Sequence, residues 1–307
     1  MRCAVIGIGS NSTRLLVGDI QDGTVRTVLR DRAGTRLFAG LMADGSLCAQ
    51  SMLRAADAAA RFAADARQAG SERLRIIATS ASRDAKNGAE LQEMIEALCG
   101  APMEILSGPQ EAYYSFLGAT GEGYCGLVDV GGGSTELACG GDGRPLKTAS
   151  VQLGALRLLG EAPDLSGDGF ARAVATAVGR VRAEWARMDV RDMPAAWYGV
   201  GGTLTCLAAV DMALAAFDHE AVNGHRLTRQ AVAGWARRLA DMPPEARAQL
   251  PGMLPRRADI IAHGAVALYG AMEALRLPWI SVSNRTNLDG CLREMAETRA
   301  GEPAPPC

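Results

Sequence analysis

The chain has 307 residues, of which 48% are apolar and 21% are charged, a composition that excludes a disordered or fibrous protein. This length predicts two domains with cores of their own and excludes a small disulfide-stabilised scaffold. Because the net charge is only −2, the sequence has no overall basic field that would bind nucleic acid or an anionic membrane.

The cysteines and the apolar segments favour a cytoplasmic location. None of the eight cysteines belongs to a Cys-x-x-Cys pair, and most lie within apolar runs, as reduced core cysteines do. No apolar run reaches the length of about 18 residues that a membrane span needs. Residues 3–8 lead into a polar turn without a signal-peptide cleavage pattern. We therefore expect neither secretion nor membrane spanning.

The first domain is predicted at residues 1–120. It opens with three strands at 3–8, 15–20 and 24–29, and Asp22-Gly23 forms the second turn. An Ala-rich helix is predicted from an N-cap at Ser46 to about Gln68. The remaining predicted elements alternate, with strands at 74–78 and 103–106 and helices at 88–99 and 110–117.

The second domain is predicted at residues 121–300 and contains more helix. After two opening strands, strands are predicted at 197–200 and 279–282, and helices at 168–187, after Thr203, and at 228–240, 257–275 and 286–298. Residues 301–307 are rich in proline and are predicted to be a frayed tail.

The opening of the chain recurs in the second domain. The segment from Leu127 to Leu137 aligns with the segment from Val5 to Leu15 when Ile6 is set against Val128, an offset of 122 residues. Strand, small-residue turn, strand and Asp-Gly turn follow in the same order. One repeat at so long a period indicates two similar domains rather than a solenoid, and we expect them to enclose an interdomain cleft.

Three turns of small residues follow predicted strands. Such turns leave backbone N–H groups accessible to an anion, and none of the three matches a Walker A or a dinucleotide-binding motif. Their sequences are Gly9-Ser10-Asn11-Ser12-Thr13, Gly131-Gly132-Gly133-Ser134-Thr135 and Gly199-Val200-Gly201-Gly202-Thr203.

Two acidic residues flank the second of these turns. Asp129 ends the preceding strand, a position from which a carboxylate can hold hydrated Mg²⁺ beside phosphate oxygens. Glu136 lies on the following strand and could face the same side. The sequence also allows a capping or turn residue at Asp129 and an exposed strand residue at Glu136.

The motifs Val-Asp-Val-Gly-Gly-Gly-Ser-Thr-Glu-Leu at 128–137 and Ile-Gly-Ser-Asn-Ser-Thr-Arg-Leu at 8–15 closely resemble the exopolyphosphatase and guanosine pentaphosphate phosphohydrolase (Ppx/GppA) family. Similar segments occur at 78–85, 106–112, 199–203 and 257–261, so the resemblance runs from Val5 to about Leu292. The resemblance implies two ribonuclease-H-like domains of the actin-like ATPase superfamily. Longer members add a C-terminal domain with an HD-type motif, and this sequence has no His-Asp dipeptide.

The resemblance also implies the roles of individual residues. Glu111 matches the catalytic glutamate that activates the attacking water, and Asp129 and Glu136 match the family's metal-binding and catalytic acids. Arg83 matches an arginine that would clamp phosphate. The first and second turns would hold the terminal phosphoryl group. We therefore expect Mg²⁺ or another divalent cation as cofactor, inorganic polyphosphate or guanosine pentaphosphate as substrate, and a homodimer.

One departure from the family pattern bears on the metal. The family usually has an aspartate where this chain has Gly7, which also stands opposite Asp129 in the internal repeat. A carboxylate introduced at Gly7 would restore a ligand, provided that the site tolerates a Cβ. The missing acid also leaves open a non-enzymatic sensor of polyphosphate or guanosine tetraphosphate. A sugar or acetate kinase of the same superfamily is a further alternative, which the Ser107-Gly108-x-x-Glu111 segment disfavours.

Overall fold

The computed structural model describes residues 1–21 and 23–297, which fall into two units. The first unit combines Met1–Gly118 with the segment that begins at Asn287, and the second is Ala119–Thr286. Of the predicted Asp22-Gly23 turn, the structure describes Gly23. Asp22 and the predicted tail at 301–307 lie outside the described residues.

The first unit is built on a five-stranded sheet in the order β3-β2-β1-β4-β5. Strands β1 to β3 are antiparallel neighbours, whereas β4 and β5 run parallel to β1. Its strands are β1 (Arg2–Ile8), β2 (Thr13–Gln21), β3 (Thr24–Ala33), β4 (Arg73–Ala78) and β5 (Met103–Ile105). Its helices are a 3₁₀ helix at Leu37–Gly40, α1 (Ala49–Gln68), α2 (Ser80–Asp84), α3 (Gly88–Cys99), α4 (Gly108–Ala119) and the last helix, α11 (Asn287–Glu297).

Strand β1 is buried on both faces because its side chains are apolar at almost every position. Successive side chains point to opposite faces of a strand, so Ala4 and Ile6 pack in a cluster with Phe62 of α1. Cys3 and Val5 pack in a second cluster with Tyr114 of α4 and with residues of α11. Because helices cover both faces of the sheet, polar side chains can cluster only at the ends of its strands.

The second unit is built on a six-stranded sheet in the order β10-β11-β9-β6-β7-β8. Its strands are β6 (Cys125–Val130), β7 (Thr135–Gly141), β8 (Arg144–Val151), β9 (Ala196–Val200), β10 (Arg226–Thr228) and β11 (Trp279–Val282). Its helices are α5 (Ala155–Glu161), α6 (Asp168–Met188), α7 (Gly202–Asp211), α8 (Arg229–Ala240), α9 (Pro244–Ala248), a 3₁₀ helix at Pro255–Arg257 and α10 (Ile261–Ala274).

The internal repeat is present in the backbone of the two sheets. Strand β1 pairs antiparallel with β2 and parallel with β4, and β6 pairs in the same way with β7 and β9. The turn between the first two strands is closed in both units by one hydrogen bond of 3.0 Å, from Gly9 N to Ser12 O and from Gly131 N to Ser134 O. The predicted fold class, two ribonuclease-H-like α/β units, is therefore confirmed.

The structure differs from the predicted elements in three respects. Helix α1 begins at Ala49 with Cys48 as N-cap, because Ser46 is held in a turn where its hydroxyl donates to Asp44. Strand β8, the 3₁₀ helix at Leu37–Gly40 and four short elements, α2, α5, α9 and β10, were not predicted. The last helix, assigned by prediction to the second domain, packs in the first unit.

The cysteines match the prediction of reduced thiols. All seven cysteines in the described residues are free, and six of them are buried. Burial raises the pKa of the Cys291 thiol well above its ordinary value, so that this side chain behaves as an apolar core residue. None of the helices within residues 1–21 and 23–297 is long and apolar enough to cross a membrane.

Candidate active site

In the first unit, the predicted site residues follow the carboxyl ends of three parallel strands. Strand β1 leads into the Gly9–Ser12 turn, β4 into α2, and β5 into α4. Two hydrogen bonds join these strand ends, from Thr79 N to Ile8 O at 3.1 Å and from Leu106 N to Ala78 O at 2.9 Å. Because these neighbouring strands are parallel, the turn, Arg83 and Glu111 are collected at one edge of the sheet, where ligands of open α/β sheets bind.

The first turn directs backbone N–H groups outward. The carbonyl oxygens of Ser10 and Asn11 accept hydrogen bonds from the backbone N–H groups of Phe38 and Arg36, at 2.9 and 3.1 Å. In a planar trans peptide, the next residue's N–H points opposite to that carbonyl. The N–H groups of Asn11 and Ser12 therefore point away from the 3₁₀ helix, in the arrangement that binds an anion.

An arginine that sequence reasoning missed lies beside this turn. Arg32 of β3 donates to the Ser12 hydroxyl from Nε at 3.0 Å and from Nη2 at 2.7 Å. The contact brings a positive charge to the turn that is predicted to hold phosphate. It arises because β2 and β3 pair with Thr13 opposite Ala33, a register that no local motif reveals.

Glu111 is held by Arg83. Glu111 lies in the first turn of α4 and is buried, with 8% of its surface exposed. Arg83 Nη1 donates to Glu111 Oε2 at 3.1 Å and to the carbonyl oxygen of Leu106 at 2.9 Å. The Nη2 atom of Arg83 is also buried and has no hydrogen-bond acceptor within the described residues. Arg83 therefore orients the carboxylate and keeps one donor for a further oxygen.

The start of α4 is fixed by a capping box. Ser107 N donates to Gln110 Oε1 at 2.8 Å, and Gln110 N donates to Ser107 Oγ at 3.3 Å, the reciprocal pair that stabilises helix N-termini. Gln110 immediately precedes Glu111 in the chain. Its amide therefore contributes to the local structure that presents Glu111.

The second turn directs three consecutive N–H groups outward. The carbonyl oxygens of Gly131 and Gly132 accept from backbone N–H groups of α5 at 2.8–3.1 Å, and that of Gly133 accepts from Arg157 Nε at 2.7 Å. All described peptide bonds are trans. By the geometry used for the first turn, the N–H groups of Gly132, Gly133 and Ser134 point away from α5. A side chain at Gly154 would prevent this packing, since its Cβ would lie 2.4 Å from Gly132 O.

The two predicted acids of the second unit are cross-strand neighbours. Asp129 of β6 pairs directly with Glu136 of β7, so both side chains lie on one face of the sheet. Asp129 Oδ1 lies against Gly201, 2.8 Å from where a Cβ would be, and Ser150 Oγ donates to Glu136 Oε1 at 2.8 Å. Mg²⁺ is usually held by one or two carboxylates together with water and phosphate oxygens, and these two residues fit that donor set. No group of three potential metal-ligating side chains occurs within the described residues.

The third turn is shaped by glycine and covered by an arginine. Gly201 has φ of +99°, in the left-handed region that favours glycine, and it precedes α7. The buried Arg257 lies over Gly202, where a Cβ would come within 1.6 Å of its Nη2. The sequence segment around Arg257 belongs to the resemblance, but no role was predicted for this residue.

Two threonines predicted to bind phosphate have structural contacts. Thr135 is fully buried, and its hydroxyl donates to Leu153 O at 2.6 Å. Thr203 is also buried and packs against Gly264 of α10, where a Cβ would lie 2.5 Å from Thr203 Oγ1. If these two turns bind phosphate as predicted, the contacts would come from backbone N–H groups, whereas the threonine side chains support the turns.

Residues 16–299 match the model of the Ppx/GppA phosphatase family. This chain belongs to that family. The predicted family and the predicted reaction class, a phosphatase-type hydrolase, are confirmed by this match.

The chain matches its relatives within the family over different fractions of its length. The chain is 32% identical to Exopolyphosphatase 2 of Mycobacterium tuberculosis over 96% of its length and 98% of that protein. It is 33% identical to the guanosine-5'-triphosphate,3'-diphosphate pyrophosphatase of Vibrio parahaemolyticus over 51% of its length and 32% of that protein. The crystal structure of the Aquifex aeolicus Ppx/GppA family member superposes with a TM-score of 0.82 at 26% identity, covering 98% of this chain and 99% of that one.

Gly7, where the family resemblance leads one to expect an aspartate, lies against helix α11. A Cβ on Gly7 would lie 2.7 Å from Cδ1 of Leu288, a buried residue of α11. Opposite Gly7 in the sheet stands Arg14, where the second unit has Glu136 opposite Asp129. The first unit thus has a leucine methyl and an arginine where the second has two acids. A Gly7→Asp side chain would have to displace this leucine methyl, and the gain of a metal ligand stays a prediction.

The Gly7→Asp substitution should also destabilise the first unit. A carboxylate would be forced against Leu288, and we expect a loss of about 2–4 kcal/mol in the free energy of unfolding. Combining it with Leu288→Ala should give a smaller loss than the sum of the two single losses, by about 1–2 kcal/mol. Urea unfolding of the four proteins measures this coupling, and strictly additive losses would contradict the assigned contact.

Proposed function

We propose that this protein is an exopolyphosphatase that releases terminal phosphate from inorganic polyphosphate. The observation that carries the proposal is the position of Glu111, buried beside Arg83 at the sheet edge that also carries the Gly9–Ser12 turn. A carboxylate fixed by an arginine beside a phosphate-type turn is the arrangement that water attack on a phosphoryl group requires.

In the proposed reaction, Glu111 accepts a proton from a water molecule while the water oxygen attacks the terminal phosphorus atom. The bond from that phosphorus to its bridging oxygen breaks, giving orthophosphate and a chain shorter by one unit. The buried Nη2 of Arg83 would donate to a phosphate oxygen. The outward N–H groups of the first turn would offset the charge that develops on the phosphoryl oxygens.

Asp129 and Glu136 would hold a divalent cation such as Mg²⁺, which when bound offsets phosphate charge. The chain's own contribution is to keep these two carboxylates side by side, through the β6–β7 pairing and the Ser150 hydrogen bond. With few protein ligands, the cation would be bound weakly and mainly together with the substrate.

Polyphosphate is favoured over guanosine pentaphosphate because the relative named exopolyphosphatase matches 96% of the chain. Guanosine pentaphosphate is the second candidate, since the Vibrio relative named for that substrate matches about half of the chain. Binding without hydrolysis, as in a sensor, is the third candidate. It is motivated by the absence of the expected acid at Gly7, where Leu288 lies instead.

The test is phosphate release from long-chain polyphosphate, tripolyphosphate and guanosine pentaphosphate, measured side by side with Mg²⁺ and with a chelator. We expect the highest kcat/KM with long-chain polyphosphate and loss of release in the chelator. Faster release from guanosine pentaphosphate would replace the first candidate by the second. Tight binding of polyphosphate without any release, measured on the same sample, would establish the sensor and contradict the hydrolase.

A further inference from the structure

Helix α11 packs directly on α4, the helix that carries Glu111. The two backbones touch at Gly290, where a Cβ would lie 2.0 Å from the carbonyl oxygen of Tyr114. Near the end of α4, Arg293 donates to the carbonyl oxygen of Leu117. Because Gly290 permits no side chain, α11 can reach this distance from α4 only with glycine at that position.

A buried polar network joins the same two helices to the sheet. Tyr114 donates its hydroxyl hydrogen to Glu294 Oε2 at 2.8 Å. Arg75 of β4 donates to the same Glu294 oxygen at 2.7 Å and to the Tyr114 hydroxyl at 2.7 Å. Burial raises the pKa of Tyr114 well above its ordinary value, so that its hydroxyl remains a donor at neutral pH. Tyr114 is thereby fixed from the strand and from α11 at once.

The network also reaches the first turn of α4. Arg75 pairs with Glu104 Oε2 at 2.8 Å, and Glu104 Oε1 accepts from Gln110 Nε2 at 3.4 Å. Gln110 closes the capping box and immediately precedes Glu111. Tyr114 itself is three residues after Glu111, so the two side chains lie on neighbouring positions of one helical face. Arg75 is thus connected to α4 both before and after Glu111.

We propose that Arg75, Tyr114 and Glu294 are positioning residues for Glu111, and that α11 sets the placement of α4 through them. The proposal rests on the proposed role of Glu111 as the base. A carboxylate that must meet a water molecule and a phosphorus atom in line loses efficiency steeply with misplacement, about 10²-fold for 1 Å. Loosening the position of α4 should therefore lower kcat more than it weakens substrate binding.

Two variants test the proposal, with a matched control. Tyr114→Phe keeps the ring and removes the hydroxyl, and Glu294→Gln removes the charge while keeping the shape. The control is Asp289→Asn, which removes another acid of α11 whose partner, Arg30 of β3 at 2.8 Å, lies away from α4. Asp289 and Glu294 each pair with an arginine of the same sheet, and Glu294 also accepts a hydrogen bond from Tyr114 of α4.

We expect kcat for phosphate release from polyphosphate to fall roughly 10-fold or more in Tyr114→Phe and Glu294→Gln. KM should stay within about two-fold, because the proposed phosphate contacts are untouched. Amide hydrogen exchange over residues 108–119 should become about 5-fold faster in both. Asp289→Asn should match the wild type in kcat and in the exchange of that segment. If Glu294→Gln does not fold, Tyr114→Phe decides alone.

Equal losses of kcat in all three variants would show general destabilisation and overturn the proposal, as would unchanged exchange over residues 108–119 in Tyr114→Phe. Hydrogen exchange needs no substrate, so it separates this inference from the proposed function. If the wild type releases no phosphate from polyphosphate, the proposed function fails, and the exchange comparison still decides whether α11 fixes α4.

Discussion

Replacing Glu111 by glutamine should lower kcat for phosphate release roughly 10²- to 10⁴-fold while KM changes little. The glutamine amide keeps the shape of the side chain and can still accept the hydrogen bond from Arg83, which is 3.1 Å from the carboxylate. It cannot accept a proton from water. Steady-state phosphate release from polyphosphate, with the melting temperature measured on the same sample, checks the expectation.

Glu90→Gln is the matched control for this substitution. Glu90 lies in the first turn of α3, a helix of 12 residues like α4, but it is exposed. We expect wild-type kcat for Glu90→Gln, so that any effect at position 111 reflects its place at the sheet edge rather than the loss of a first-turn charge. If Glu111→Gln kept more than about half of the wild-type kcat, Glu111 would not be the base.

Replacing Arg83 by lysine should lower kcat/KM roughly 10- to 100-fold although the charge is kept. Arg83 uses one nitrogen for Glu111 and Leu106 O and has a second, buried nitrogen that is proposed to donate to a substrate oxygen. A lysine ammonium has no planar fork and cannot reproduce both sets of contacts. Losing one charge-assisted hydrogen bond costs about 1.5–3 kcal/mol, which corresponds to this factor.

Arg26→Lys provides the comparison for Arg83. Arg26 is an arginine of the same unit that pairs with Asp19, but its side chain is 82% exposed. Exposed ion pairs contribute little, so this variant should have the wild-type kcat/KM. If Arg83→Lys behaved like Arg26→Lys, Arg83 would have no part in binding phosphate or in orienting Glu111.

Elements with strong local signals were predicted well from the sequence. Helix α3 and strand β11 have the predicted bounds, because a periodic or apolar run in each is enclosed by residues that break it. Helix α5 has only seven residues and was missed, since its position depends on hydrogen bonds to the glycine turn at 131–133. Such contacts are made across the fold and leave no periodic pattern.

The candidate site was predicted in its residues but not in its contacts. Family motifs pointed to Glu111, Arg83 and the glycine turns, whose binding roles stay predictions. The pairing of Arg83 with Glu111 spans 28 residues of chain and depends on the parallel pairing of β4 with β5. The sequence showed that position 7 has no acid. It could not show that Leu288 lies there, because Leu288 is more than 280 residues away in the chain.

The return of the last helix to the first unit bears on how the protein is made by a ribosome. Cys3, Val5 and Leu16 share a core with Leu288 and Leu292, and the 168 residues from Ala119 to Thr286 are synthesised between these two parts. At a translation rate of about 5–20 residues per second, on the order of ten seconds or more pass between synthesis of the early strands and synthesis of α11. During that time the part of this sheet face that α11 covers stays apolar and exposed in the nascent chain, so this unit cannot complete its folding until α11 has been synthesised.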